Sequence, residues 1–257
     1  MLFRSRYRRV VAGSAVGTSH VAAGTACQDS CWAQVDTWPG RGSVLSIFVA
    51  DGAGSALRGG EGAELAIKAA AEFMQKKLAL AEFGLGDDFA VDCVLEVRAA
   101  LFSEAERTGL RARDFACTFL GIVSSDLGTL IMQVGDGGIV LDVGEGLEVP
   151  IIPMSGEYAN MTHFVTDEDA VDRLVSRVLN KPVLRAAAFS DGIQRLAIQM
   201  ATNTAHEPFF APFFKVLSTA TAEQEDQLQQ ALLRFLNSDA VNDRTDDDKT
   251  LALAVLI

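Results

Sequence analysis

Residues 44–50 form an apolar run rich in β-branched side chains, and the run stops at Asp51-Gly52. A run of that length closed by a turn signal predicts a buried strand carrying an aspartate at its end. From residue 61 to about 82, Ala63, Ile67, Ala70, Met74 and Leu78 recur at intervals of three and four, the period of a helix with one buried face. Residues 87–108 repeat the pattern with Val94, Val97, Leu101 and Ala105. Runs at 115–124, 129–134 and 139–143 follow, separated by Ser125-Asp126-Leu127-Gly128 and by Gly135-Asp136-Gly137-Gly138, and they predict an antiparallel meander. Residues 150–169 show no period, 170–179 read as helix, and 184–189 read as a buried strand ending at Ser190-Asp191-Gly192. Helical stretches near 193–200, 212–217 and 222–236 lead to an acidic loop at Asp246, Asp247 and Asp248 and a last strand at 250–257.

Strands, then long helices, then strands again argue for an α+β fold. Because the strands arrive through hairpins, the expected architecture is two antiparallel sheets packed as a sandwich with helices on both outer faces. One domain over residues 1–257 is expected, since no repeat and no long linker interrupts the chain. Composition narrows the partners. With 34 acidic against 22 basic side chains the net charge is −12, which repels a phosphate backbone and disfavours nucleic acid. The basic block at Arg4, Arg6, Arg8 and Arg9 lacks the apolar stretch of a leader, and no run approaches the length of a membrane span. Four cysteines, Cys27, Cys31, Cys93 and Cys117, are too irregularly spaced for a disulfide framework, so a cytoplasmic setting is expected.

Four apolar runs are bounded by an aspartate next to glycine or to another aspartate: Asp51-Gly52, Asp136-Gly137, Asp191-Gly192 and Asp247-Asp248. One such pair is an ordinary turn in most proteins. Four carboxylates at strand ends can instead be gathered at one rim of a sandwich, where their repulsion calls for cations. Oxygen-only ligands select Mg²⁺ or Mn²⁺ over zinc. Competing signatures fail: there is no P-loop, Leu57 breaks a dinucleotide fingerprint, and the acidic stretch at 243–250 lacks the glycine and glutamate of an EF-hand.

These motifs, in this order, resemble those of the metal-dependent type 2C (PPM) protein phosphatases, small bacterial members included. Cys27-Gln28-Asp29 is similar to the family's early acidic element, Val49-Ala50-Asp51-Gly52-Ala53-Gly54-Ser55 to its strand-end motif, and Gly135-Asp136-Gly137-Gly138 to its third. Phe189-Ser190-Asp191-Gly192-Ile193 and Asp247-Asp248-Lys249-Thr250 are similar to the fourth and last, and Gly156-Glu157-Tyr158-Ala159-Asn160 is reminiscent of the bacterial members. The resemblance implies that Asp51 bridges two ions of Mn²⁺ or Mg²⁺, that the Gly52 carbonyl binds one, and that Asp191 and Asp247 complete the other's shell. It implies that Asp29 orients solvent and that Asp136 and Asp191 flank a weaker third site, which Arg195 disfavours by standing where relatives carry an acidic ligand. Solvent held between two divalent cations becomes acidic enough to attack phosphorus in line, so Asp51, Asp191 and Asp29 carry the catalysis without a nucleophilic side chain.

The implied substrates are phosphoserine and phosphothreonine proteins, set against a Ser/Thr kinase pathway. Two alternatives stand beside this: a catalytically weak relative that binds phosphoproteins, and a two-metal phosphomonoesterase for small molecules. The family's phosphate-clamping arginine falls at position 24, which is glycine here; His20, Arg58 or the basic N-terminus are the candidates to replace it. The histidine that many relatives place two residues after the bridging aspartate is Ala53. Asp246 is a neighbour that could take the place of Asp247. A flap-like irregular segment at about 150–180 is expected beside the site and to influence substrate choice.

Overall fold

The computed structural model describes residues 8–38, 42–152 and 162–257. The chain opens with β1 (Arg8–Ala15), a short α1 (Thr18–Ala23), β2 (Asp29–Trp38) and β3 (Gly42–Asp51), followed by two long helices, α2 (Gly59–Leu78) and α3 (Asp87–Thr108). Next come β4 (Phe119–Ser125), β5 (Gly128–Val134), β6 (Gly138–Asp142), β7 (Val175–Leu179) and β8 (Arg185–Phe189). The C-terminal third holds α4 (Asp191–Ala197), a small hairpin of β9 (Ile198–Gln199) and β10 (Thr204–Ala205), helices α5 (Glu207–Thr219), α6 (Glu225–Leu236) and α7 (Asp239–Asn242), and finally β11 (Lys249–Leu256).

The strands form two antiparallel sheets, one in the order β1-β11-β8-β6 and one in the order β2-β3-β4-β5-β7. Side chains alternate across a strand, so a strand between two apolar layers reads as continuously hydrophobic. In β3 the odd positions Leu45, Ile47 and Val49 enter the layer between the sheets, while Val44, Phe48 and Ala50 pack outward against α2 and α3. The other sheet turns Leu251, Leu253 and Val255 outward onto α5 and α6; to the inner layer its central strands β8 and β11 give alanines, Ala186, Ala188, Ala252 and Ala254, and its edge strand β6 gives Ile139 and Leu141. Large side chains of β3 and β4 thus meet the small ones of β8 and β11 in this layer. The result is the expected α+β sandwich with helices on both outer faces.

Two expectations change. The meander breaks after β5: β6 leaves for the other sheet and pairs with β8, because the free edge of β5 is covered by β7. Residues 170–179 are not helical; turns lead into β7, whose register runs Thr129↔Leu179 to Gln133↔Val175. An apolar spacing of three and four there fits either period, and the open hydrogen-bonding edge of β5 decides for a strand. The N-terminal elements β1, α1 and β2 carried no clear period in the sequence. Part of the flap-like segment, 153–161, lies outside the described residues, as do Arg4 and Arg6.

Candidate active site

The two sheets bring their acidic ends to one rim. Asp29 begins β2, Asp51 ends β3, and the two face each other in the strand register. Asp136 sits in the turn between β5 and β6, Asp191 opens α4 directly after β8, and Asp247 precedes β11. A cleft of about 330 Å³ is lined by Asp51, Gly52, Asp136, Asp191 and Asp247, together with His20, Gln28 and Thr118. Close approach of three backbone segments makes this possible. A side chain at Gly17 or Gly192 would lie 2.4 Å from the Asp247 carbonyl carbon and 2.0 Å from the Asp248 oxygen respectively, so the loop before α1 and the first turn of α4 close over the Asp247–Asp248 loop only as glycine.

Neutral groups hold the acidic ones in place. The Ser190 hydroxyl donates to Asp29 Oδ2 at 2.7 Å and accepts the Thr250 N–H at 3.0 Å, tying β2, β8 and β11 together. Thr118 Oγ1 accepts the Asp51 N–H at 3.0 Å, and the Thr118 N–H donates back to the Asp51 carbonyl at 2.8 Å. Around Asp136, the Gln194 side chain donates to the backbone carbonyl at 3.0 Å and Thr162 donates to Oδ2 at 2.7 Å. Gln133 braces the same turn by donating to the carbonyls of Gly135 and Gly137. These neutral contacts fix orientation and leave the excess negative charge in place.

That excess shows in the acidities. Burial pushes Asp29 up to about 7, resisted by the bond from Ser190 and by the nearby Thr250 hydroxyl and helped by the charges of Asp248 and Asp191. Asp51 is raised well above the usual carboxylate range by burial and then by Asp29, Asp191, Asp247 and Asp136. Burial raises Asp191 to about 6, with Asp136 and Asp247 adding to it. Buried carboxylates that repel one another hold their protons to higher pH, and bound cations offset that repulsion. Asp29 Oδ1 and Asp191 Oδ1 are buried and accept no hydrogen bond, two oxygens prepared for a ligand outside the protein. An all-oxygen donor set with orphaned carboxylate atoms fits a hard divalent cation.

Of the residues singled out in the sequence, Asp51, Gly52, Asp136, Asp191, Asp247 and His20 line the cleft, and Asp29 lies buried at its floor beside Asp51. Arg58 does not line it: its guanidinium pairs with Glu61 at 3.2 Å and lies 5.9 Å from the centre of the Phe115 ring. Arg8 and Arg9 stand at the end of β1 that pairs with Leu256 and Val255, seven residues of strand from the Lys249 end, roughly 24 Å away. Asp246 uses its backbone carbonyl to accept from Ser19 N and Oγ, and its exposed side chain is not among the lining residues. Sequence reading overlooked Ser190, Thr118, Thr162 and the anchoring role of Asp248. Ser190 and Asp248 stand inside recognised motifs and carried a positional signal; Thr118 and Thr162 carried none.

A family model described as "Protein phosphatase 2C" matches residues 16–237. The chain is 56% identical over 247 residues to serine/threonine-protein phosphatase 3 of Escherichia coli strain K12, covering 96% of this chain and 98% of that protein. Among solved structures, the S. agalactiae serine/threonine phosphatase superposes with a TM-score of 0.63 at 15% identity, covering 98% and 100% of the two chains. The catalytic domain of the serine threonine protein phosphatase PstP, solved with two manganese ions, gives 0.61 at 16% identity over 97% and 98%. At these identities the structural matches speak to the fold.

Proposed function

The chain belongs to the protein phosphatase 2C family, and from that membership we propose that it removes phosphate from phosphoserine and phosphothreonine in proteins, in a reaction that depends on divalent metal. The observation that carries the reading is the convergence of Asp29, Asp51, Asp136, Asp191 and Asp247, from five separate segments, on one cleft with unsatisfied carboxylate oxygens. Asp51, Asp191, Asp247 and the Gly52 carbonyl are the donors we assign to two ions of Mn²⁺ or Mg²⁺, with Asp29 and Asp136 beside them. When bound, such ions neutralise the phosphoryl oxygens and acidify the attacking water.

The chain's own residues do the rest. Ser190 fixes Asp29 so that Oδ1 stays available, and Asp29 is placed to orient and take a proton from water near Asp51. Thr118 sets the backbone of Asp51, and Gln194 and Thr162 set Asp136. None of the four cysteines competes as a nucleophile: burial pushes Cys27 up to about 12 and Cys31 up to about 11, and Cys93 and Cys117 are buried and raised further. Thr162 and Phe164 bring the segment after residue 161 to the cleft mouth, which supports a part for that segment in choosing the peptide. A Ser/Thr kinase acting on the same proteins is the partner this activity requires. Purified protein should release phosphate from a phosphothreonine peptide with Mn²⁺ and stop with chelator. Tight phosphopeptide binding without metal-stimulated release would favour a binding module instead, and a preference for phosphorylated metabolites would favour a small-molecule esterase.

A further inference from the structure

A phosphoryl group entering this cleft presents oxygens beyond those that cations can cover, and each needs an N–H or O–H donor in place before the reaction. Among the described residues lining the cleft there is no arginine or lysine. Arg58 is committed to Glu61, Arg8 and Arg9 lie at the far end of β1, and Lys249, fully buried, donates to Asn242 Oδ1 at 2.7 Å. One lining side chain can carry positive charge: His20.

We propose that His20, held by Asp248, is the residue that grips the substrate's phosphate in place of the arginine missing at position 24. The inference rests on reading the cleft as a phosphatase site. His20 Nδ1 lies 2.9 Å from Asp248 Oδ2, and Asp248, 2% exposed, is itself immobilised by the N–H groups of Gly17 at 2.6 Å and Gln28 at 2.5 Å. The carboxylate therefore stands within ion-pair distance of Nδ1, which makes no aligned hydrogen bond, and Nε2 is the nitrogen we assign to the phosphate. The imidazolium form has N–H on both nitrogens and can span the carboxylate and a phosphate oxygen. The local fold supports the same assignment. Helix α1 buries no residue, so it contributes nothing to either core, yet Ser19 N and Oγ fasten it to the Asp246 carbonyl and Asp248 fastens its histidine. Its evident product is a fixed His20 at the rim. Asp248, which touches no substrate, is then a positioning residue.

The test is His20→Gln in the Mn²⁺-loaded enzyme, with inorganic phosphate as a competitive inhibitor and two substrates, a phosphothreonine peptide and para-nitrophenyl phosphate. Loss of one charge-assisted hydrogen bond weakens phosphate inhibition and raises KM for both substrates by a common factor of roughly 10–100, while the Mn²⁺ concentration for half-activation stays put. An unchanged inhibition constant, or a loss confined to the peptide, would overturn the proposal. A second measurement needs no variant: with three histidines in the chain, ring-nitrogen NMR of the wild-type protein in Mg²⁺ should show the His20 Nε2 signal move as inorganic phosphate is added, and a stationary signal would refute the contact. Should the wild type lack metal-stimulated turnover, the proposed reaction falls, whereas the NMR titration still decides the phosphate contact.

Discussion

The far end of β6 and the cleft hold aspartates of opposite character. Asp142, the last residue of β6 and 6% exposed, accepts N–H bonds from Gly144, Glu145 and Gly146 on Oδ1 and from the Arg185 guanidinium, twice, on Oδ2. Burial alone would raise its pKa, yet those backbone N–H groups and Arg185 hold it below the usual carboxylate range. At the other end lies the cleft, where Asp29, 8% exposed, has one donor of its own and is raised to about 7. Both residues are little exposed, yet the Asp29 carboxylate lies deeper, and burial is the largest cause of its raised pKa. The number of donors supplied separates them further: Asp142 is saturated, whereas Asp29, which we assign to the metal site, is left short. The contrast recurs over one residue beside the cleft: Asp248 accepts two backbone N–H groups and faces His20, while the neighbouring Asp247 is exposed and lines the cleft.

The largest effect should come from Asp51. Asp51→Asn is expected to lower metal-stimulated kcat by roughly 10³-fold while leaving the melting temperature in chelator unchanged or higher, because it removes repulsion. A fall in metal-free stability would place Asp51 in the class of Asp142. The reverse result is expected of Asp142→Asn, which weakens five hydrogen bonds and should cost about 2–3 kcal/mol in denaturant unfolding with no change in kcat of the folded fraction. Between these lies Ser190→Ala, which releases Asp29 Oδ2 without removing a carboxylate; apparent Mn²⁺ affinity should weaken about 10–100-fold, read from activation curves.

The smallest expected effect concerns pH. Asp29 and Asp191 have folded-state pKa values raised to about 7 and about 6. Between the unfolded carboxylate value and those figures the folded chain binds more protons than the unfolded one, so their contribution to metal-free stability is full at acid pH and is lost as pH rises through 6 and 7. Cations compete with those protons. The rise in melting temperature produced by a fixed Mn²⁺ concentration should therefore be larger at pH 8 than at pH 5.5, and a rise independent of pH would disconnect the raised carboxyls from metal binding.

Much of this was legible before any coordinates. Helix α3 and the strand ending at Asp51 followed from period and turn chemistry, because buried faces and tight turns leave strong local signals. The Asp-Gly pairs marked the rim, and their order pointed to the family. Other features have no local cause. Strand β7 exists because β5 has an edge to cover, and β6 joins the second sheet because β8 is waiting there, so neither could be read from its own residues. Thr118 and Thr162 reach the cleft only through tertiary packing. His20 was one of several candidates for the missing cation; its pairing with a buried Asp248, 228 positions later in the chain, distinguishes it, and that pairing is a product of the β1-β11 register.

The most direct test of the central claim is diffraction from crystals grown with Mn²⁺, using the metal's anomalous signal. Two strong peaks are expected in the cleft, with oxygens of Asp51, Asp191 and Asp247 at coordinating distance and the orphaned Asp191 oxygen among them. Saturating Mn²⁺ with no peak in the cleft, or with peaks beyond reach of Asp51 and Asp191, would contradict the assignment of these carboxylates as a metal centre.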